Sequence, residues 1–191
     1  LVFSEYAYSN ITLDGSLTNK TFDGGFSISD PNIRMNFEGK MDFSEEVPVY
    51  NFTADVARAR PHFLNLGIED PNSFASFLVE IDVTGRTLDQ LNGEIRLVNS
   101  LFERKGEQVQ LYDMNLLALN TSDTSSIVIE SELFDARVGG QYRLSELPAS
   151  FRSLADQYIN LVPGRDLPRD SLNHFTYLVD LKRVNPILDF F

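Results

Sequence analysis

Histidine, the side chain best suited to moving protons near neutral pH, occurs only twice, at His62 and His174. His62 follows Pro61 in an irregular stretch, and His174 falls at the polar parity of an alternating run, so neither has a placed partner. Carboxylates are plentiful. Asp14 with Asp23, or Asp30 with Asp42, could face each other across neighbouring strands as the two acids of a glycoside hydrolase do. Their places at strand ends and on the wet parity read more simply as solvated charge. Asp30-Pro31-Asn32 and Glu69-Asp70-Pro71-Asn72 gather oxygen ligands of the kind calcium takes. Asp-Pro-Asn is also a turn sequence, and neither stretch has EF-hand spacing, so no metal site is expected.

Other chemistries lack their parts. The chain has no cysteine, which removes thiolate nucleophiles, disulfides and zinc–thiolate centres together. No Gly-x-Ser-x-Gly elbow is present, and no glycine-rich loop opens a helix to cradle phosphate. Asn-x-Ser/Thr occurs at Asn10, Asn19, Asn51 and Asn120 and reads as ordinary loop and strand polarity. The expectation is a protein without catalytic residues, without a cofactor, and not an enzyme.

The elements that would position any site are strands. Ile11 and Leu13 alternate with polar residues, as do Phe22, Gly24, Phe26 and Ile28, and then Met35, Phe37, Met41 and Phe43. Short loops join these runs, which predicts an antiparallel meander. The same rule finds Phe52, Ala54 and Val56; Phe77, Val79, Ile81 and Val83; and Ile95 with Leu97. Val109 and Leu111 then give way to Met114, Leu116 and Ala118, a parity change near Asp113 that one extra residue in a β-bulge would produce. Ile127, Ile129 and Leu133, then Ala136, Val138 and Tyr142, and finally Phe175, Tyr177, Val179 and Leu181 bring the count to roughly ten strands.

Two stretches break the alternation. Residues 58–73 read as a connector between sub-units 1–57 and 74–191. Residues 145–161 read as a helix: Ser145 caps it, Pro148 sits in the first turn, and Phe151, Leu154, Ala155, Tyr158 and Ile159 share one stripe before Pro163-Gly164. That stripe should pack over a sheet face or plug its end. A second helix is expected to start at Asn185-Pro186.

The bulk numbers agree with a folded β protein. Hydrophobic residues make up 42%, mean hydropathy is -0.17, and no stretch approaches the roughly 20 apolar residues of a spanning helix. The net charge of -12, from 28 acidic and 16 basic residues, repels phosphate backbones and anionic headgroups, so nucleic acid is excluded as a partner. Leu1-Val2-Phe3-Ser4-Glu5 does not resemble a signal peptide, and the chain reads as an internal stretch of a longer extracytoplasmic protein. The continuous apolar parity must bury itself on something. A closed, curled sandwich and an open groove for acyl chains both satisfy it.

Tyr8-Ser-Asn-Ile-Thr-Leu-Asp-Gly-Ser-Leu17, Phe22-Asp-Gly-Gly-Phe-Ser-Ile-Ser-Asp-Pro-Asn32 and Met35-Asn-Phe-Glu-Gly-Lys-Met-Asp-Phe43 together resemble the AsmA/TamB-like family of Gram-negative envelope proteins. Pro48-Val-Tyr-Asn-Phe-Thr-Ala-Asp-Val56, Phe63-Leu-Asn-Leu66, Tyr177-Leu-Val-Asp-Leu181 and Asn185-Pro-Ile-Leu188 are similar to later parts of its translocation-and-assembly members. The resemblance implies a periplasmic protein held in the inner membrane by an N-terminal helix. Its body would be a β-taco, an elongated, folded-over antiparallel sheet with an apolar interior. The implied work is phospholipid transfer to the outer membrane, or assembly of outer-membrane proteins beside a β-barrel partner. No catalytic residue is implied. The acyl-facing candidates are Phe22, Phe26, Ile28, Met35, Phe37, Met41, Phe77, Val79, Ile81 and Val83. A structural or protein-binding β module with a closed core that docks an outer-membrane barrel is the alternative.

Overall fold

A computed structural model describes residues 1–121, 123–144 and 174–183. A small hairpin of β1 (Val2–Phe3) and β2 (Tyr6–Ala7) comes first. It precedes a ten-stranded antiparallel sheet: β3 (Ile11–Thr18), β4 (Thr21–Ser29), β5 (Ile33–Asp42), β6 (Val49–Ala59), β7 (Phe74–Thr84), β8 (Asn92–Arg104), β9 (Glu107–Asn120), β10 (Ser125–Ser131), β11 (Phe134–Gln141) and β12 (His174–Leu181). Spatial order follows chain order throughout, so β3 and β12 are the two edges and the sheet does not close into a barrel. The expected curled, mostly β meander is the fold. Among the described residues there is no α-helix, and Leu88–Gln90 forms a single 3-10 turn.

Local chemistry explains the turns. Ser4-Glu5, Asn19-Lys20 and Lys105-Gly106 hold both residues at positive φ, which gives a two-residue loop the twist its flanking strands require. Alternation alone carries the third strand on to Phe43, but β5 ends at Asp42 and Phe43 is exposed. The Asp42 carboxylate accepts the Ser44 N–H at 2.9 Å and the Ser44 hydroxyl at 2.6 Å, turning the chain just after Phe43, whose N–H still reaches the Lys20 carbonyl at 3.0 Å.

The parity change in β9 is real, but its origin differs from a one-residue bulge there. Leu111 is buried, Tyr112 and Asp113 are both exposed, and Met114 returns to the apolar face. β8 turns over at the matching place, with Leu97 opposite Met114 and the fully buried Ser100 opposite Leu111. The β8–β9 register is unbroken. The extra residue is felt on the other side of β8, where the register to β7 shifts between Ser76 and Leu78 and Asn99 takes φ 49.

The connector begins after β6 ends at Ala59, and β6 pairs directly with β7, so one sheet runs through both sides of it. Leu64, at 1% exposure, inserts from the connector into a cluster with Ile28, Ile33, Val56, Ala59 and Ala75. Tyr6 and Tyr8 pack on the same cluster. A second cluster joins Val109, Leu111 and Leu133, and a third joins Ile127 and Val138. The expected helices at 145–161 and from Asn185-Pro186 lie outside the described residues.

Candidate functional site: one apolar sheet face

Residues directly opposite on neighbouring antiparallel strands point to the same side of a sheet. Phe22 faces Met41, Phe26 faces Phe37, and Ile28 faces Met35 across β4 and β5. Met41 then faces Tyr50, Phe37 faces Ala54, and Met35 faces Val56. The rows continue onto β7 through Val83, Val79 and Phe77, with Ile81 opposite Phe52. All ten candidates therefore lie on one face. The rows run on through Ile95 and Leu97 on β8 and through Met114, Leu116 and Ala118 on β9. They reach Ile127 and Ile129, then Val138 and Ala136.

This face is not uniformly dry. Ile28, Phe37 and Val83 are buried, whereas Phe22, Phe26, Met35, Met41, Phe77, Val79 and Ile81 are half-buried. Among the described residues the two-stranded β1–β2 sheet and Leu64 of the connector pack on it at the Ile28 end, and no second sheet or long helix covers the rest. The shelter comes from rings packed on one another. Phe37 stacks on Phe26 at 4.8 Å between centroids and leans on Phe52 at 4.7 Å and Phe22 at 6.4 Å. The rings close over a bare row, Gly15 opposite Gly24 opposite Gly39. At Gly39, φ is +150 and a Cβ would sit 2.5 Å from the Phe52 Cβ, so only glycine leaves the ring its place.

One end of the face is capped. The β1–β2 hairpin lies over the end near Ile28 and Met35, held by Asp30 at the β4–β5 turn. Tyr6 donates its hydroxyl to Asp30 Oδ1. Ser9 donates its N–H (3.0 Å) and hydroxyl (2.5 Å) to Oδ2, and the Asn32 N–H reaches Oδ1 at 2.9 Å. Burial alone would raise the Asp30 pKa, but hydrogen bonds from Ser9, Tyr6 and Asn32 outweigh it and hold the carboxyl at about 2. Donation to Asp30 in turn pushes the Tyr6 phenol up. Asn65 Nδ2 adds a bond to the Ser4 carbonyl at 3.0 Å. The sequence does not reveal this cap, because Asp30 reads there as a turn residue and Tyr6 and Ser9 lie more than twenty positions upstream.

The opposite face is mostly polar across β3 to β8, with Val49, Leu78 and Val98 among its apolar exceptions, and it carries the groups whose chemistry the sequence raised. Asp14 sits opposite Gly25 and Asp23 opposite Ser16, so the two carboxylates are offset neighbours on a solvated surface. Asp30 and Asp42 lie at opposite ends of the β4–β5 hairpin and form no pair. Asp70 accepts backbone N–H groups of Lys105 (2.6 Å) and Asn72 (3.0 Å), which lower its pKa and tie the connector to the β8–β9 turn. Both Asp-Pro-Asn carboxylates are thus spent on the chain itself, and among the described residues no three metal-ligating side chains converge. His62 Nδ1 lies 3.0 Å from the Ile68 carbonyl, and His174 is exposed on β12. Arg96 grips Asp113 with two bonds at 2.8 and 2.9 Å and lies 3.8 Å from Glu80. That constellation is an exposed ion-pair network across three strands.

Fold and site together define an open antiparallel meander, polar on one side, with a capped apolar face on the other. In comparisons with protein families, curated proteins and solved structures, nothing matches the chain. No helix among the described residues is long and apolar enough to cross a membrane.

Proposed function

We propose that this chain is a non-enzymatic, periplasmic segment of an envelope protein whose apolar sheet face shelters phospholipid acyl chains on their way to the outer membrane. The observation that carries the reading is the half-buried Phe22, Met41, Val79 and Ile81, in rows over β4 to β7 beyond the capped end and without a covering layer among the described residues. Each methylene kept from water along such a lane is worth about 0.8 kcal/mol, so a row of partly exposed rings favours an acyl chain without a single tight pocket. The cap over Ile28 makes the end at Phe22, Met41, Tyr50 and Val83 the one by which a chain enters. The resemblance to the AsmA/TamB-like family supplies the compartment and the class of cargo.

The test is organic extraction of the folded chain, purified from a Gram-negative periplasm, followed by mass spectrometry. Near-stoichiometric phospholipid in the wild type, lost in Met41→Asp or Ile81→Asp variants that stay folded, supports the reading. Both positions are half-buried, unlike Phe37, where a charge would unfold the sheet. Lipid-free protein with a cooperative melt overturns it. That outcome favours the second reading, a protein-binding β module that docks an outer-membrane barrel, for which the wholly exposed edge β3 speaks.

A further inference from the structure

The two edges of the sheet are not alike. On β12 all residues but Phe175 are exposed as well, but the rings of Phe175 and Tyr177 pack on each other, Phe175 packs on Tyr142, and Lys182 just beyond is bound to Asp135. On β3 every one of the eight residues is exposed. It is long, carries Asp14 as its only charge, and has no lysine, proline or bulge to discourage a neighbour.

The backbone of β3 has a definite polarity. The Ser29 N–H donates to the Asn10 carbonyl at 3.1 Å, which makes this a hydrogen-bonded pair in the register that sets Ile11 opposite Ile28. Bonding alternates along an antiparallel ladder, so Thr12, Asp14 and Ser16 turn their backbone groups to β4. Ile11, Leu13, Gly15 and Leu17 turn theirs outward. These same residues place their side chains on the apolar face, where Leu13 is 69% and Leu17 76% exposed. Any strand that pairs here therefore extends the apolar face as well as the ladder.

We propose that the occupant is β3 of a second copy of this chain, paired antiparallel about a two-fold axis through Gly15. Outward-bonding positions must meet each other, which leaves four central registers, and centring on Ser16 sets Leu13 against Asn19 in the turn beyond the strand. Centring on Asp14 sets two carboxylates directly opposite. Centring on Leu13 leaves Leu17, the most exposed apolar residue of the strand, without a neighbour. Centring on Gly15 sets Leu13 against Leu17 twice on the apolar side, and Thr12 against Thr18 and Asp14 against Ser16 on the polar side. No like charges oppose, and the paired glycines let the backbones approach. Leu13 N–H donates to the partner's Leu17 carbonyl, and Leu17 N–H to the partner's Leu13 carbonyl. The interface is self-complementary and closes at two copies, with twenty strands in one sheet. This proposal does not depend on the lipid reading.

The test is sedimentation equilibrium of the whole chain over a wide concentration range, with amide exchange read at Leu13, Gly15 and Leu17. The wild type should be a dimer with these amides protected. Leu13→Pro removes an N–H that points away from β4, so the inner ladder survives. It should raise the dimer's dissociation constant by at least about tenfold while circular dichroism and the melt stay near wild type. Ser16→Lys places a lysine opposite Asp14 only in the Gly15-centred register and should tighten the dimer. A monomeric wild type at every concentration overturns the proposal. So does a dimer that survives Leu13→Pro with freely exchanging β3 amides, and a Ser16→Lys variant that is no tighter overturns the register.

Discussion

Tyr6 and Asp30 are joined by a hydrogen bond across 24 residues of sequence, and through it the N-terminal hairpin is fastened to the far end of the β4–β5 turn. The carboxylate is 3% exposed and accepts from three residues, so it works as a clasp. Asp30→Ala should cost about 2 kcal/mol, the usual range for losing bonds to a charged acceptor, read from the urea midpoint. Hydrogen exchange should also rise first at residues 1–9.

The same clasp sets a pH dependence. A carboxylate whose folded pKa lies below its unfolded value contributes stability above the unfolded pKa, and loses it as pH falls through the folded one. For Asp30 the folded value is about 2 against 3.8 unperturbed. The gap in melting temperature between wild type and Asp30→Asn should be full at neutral pH and shrink from about pH 4 down towards 2. A gap that stays constant across that window would exclude Asp30 as the source.

Phe37 and Met41 lie on the same face of the same strand but differ in burial. Phe37 is 7% exposed between two aromatic neighbours, and its truncation to alanine should cost about 3 to 5 kcal/mol. Met41 is half-buried, and Met41→Ala should cost less than about 2 kcal/mol. Chemical denaturation of the two variants checks the order. Equal costs would mean that the face is closed over along its whole length.

Gly39→Ala should be among the worst single-methyl changes in the chain. Its Cβ would fall 2.4 Å from the Phe52 Cα, a backbone atom that cannot move aside, at a φ that alanine rarely adopts. Gly106→Ala, at a turn with nothing within 4 Å, meets only its φ of +83 and should cost about 1 kcal/mol. Melting curves of the pair separate crowding from backbone strain.

Arg96 and Asp113 form the best-aligned ion pair on the polar face, yet both are about half exposed. A double-mutant cycle should return only a small coupling, diminishing as salt is added. A coupling several times larger would mark that face as covered by something.

Much of this architecture is legible in alternation. Phe22, Phe26, Phe37 and Ile81 were placed on one side by counting in twos, because a two-residue period needs only neighbours in sequence. The parity change between Leu111 and Met114 was visible for the same reason. Its cause was not, since Asn99 and the shifted β7 register belong to other strands. Phe43 keeps the face, its ring 5.7 Å from that of Tyr50, although Ser44 bound to Asp42 ends the strand there. Asp30 was hidden more deeply. Nothing in Asp-Pro-Asn announces that Tyr6 and Ser9 will return to it, and strands as short as β1 and β2 leave no period to read.

Every strand of the main sheet pairs only with its neighbours in the chain. Under tension such a meander behaves as a zipper. Pulled by its ends, it would peel one hairpin at a time, breaking rungs in succession rather than shearing a whole strand at once. From β3 to β11 each peeled hairpin could close again without waiting for a distant segment, because its contacts are local in sequence, whereas β12 returns to β11 from residue 174. Such a sheet yields in small steps rather than in one rupture.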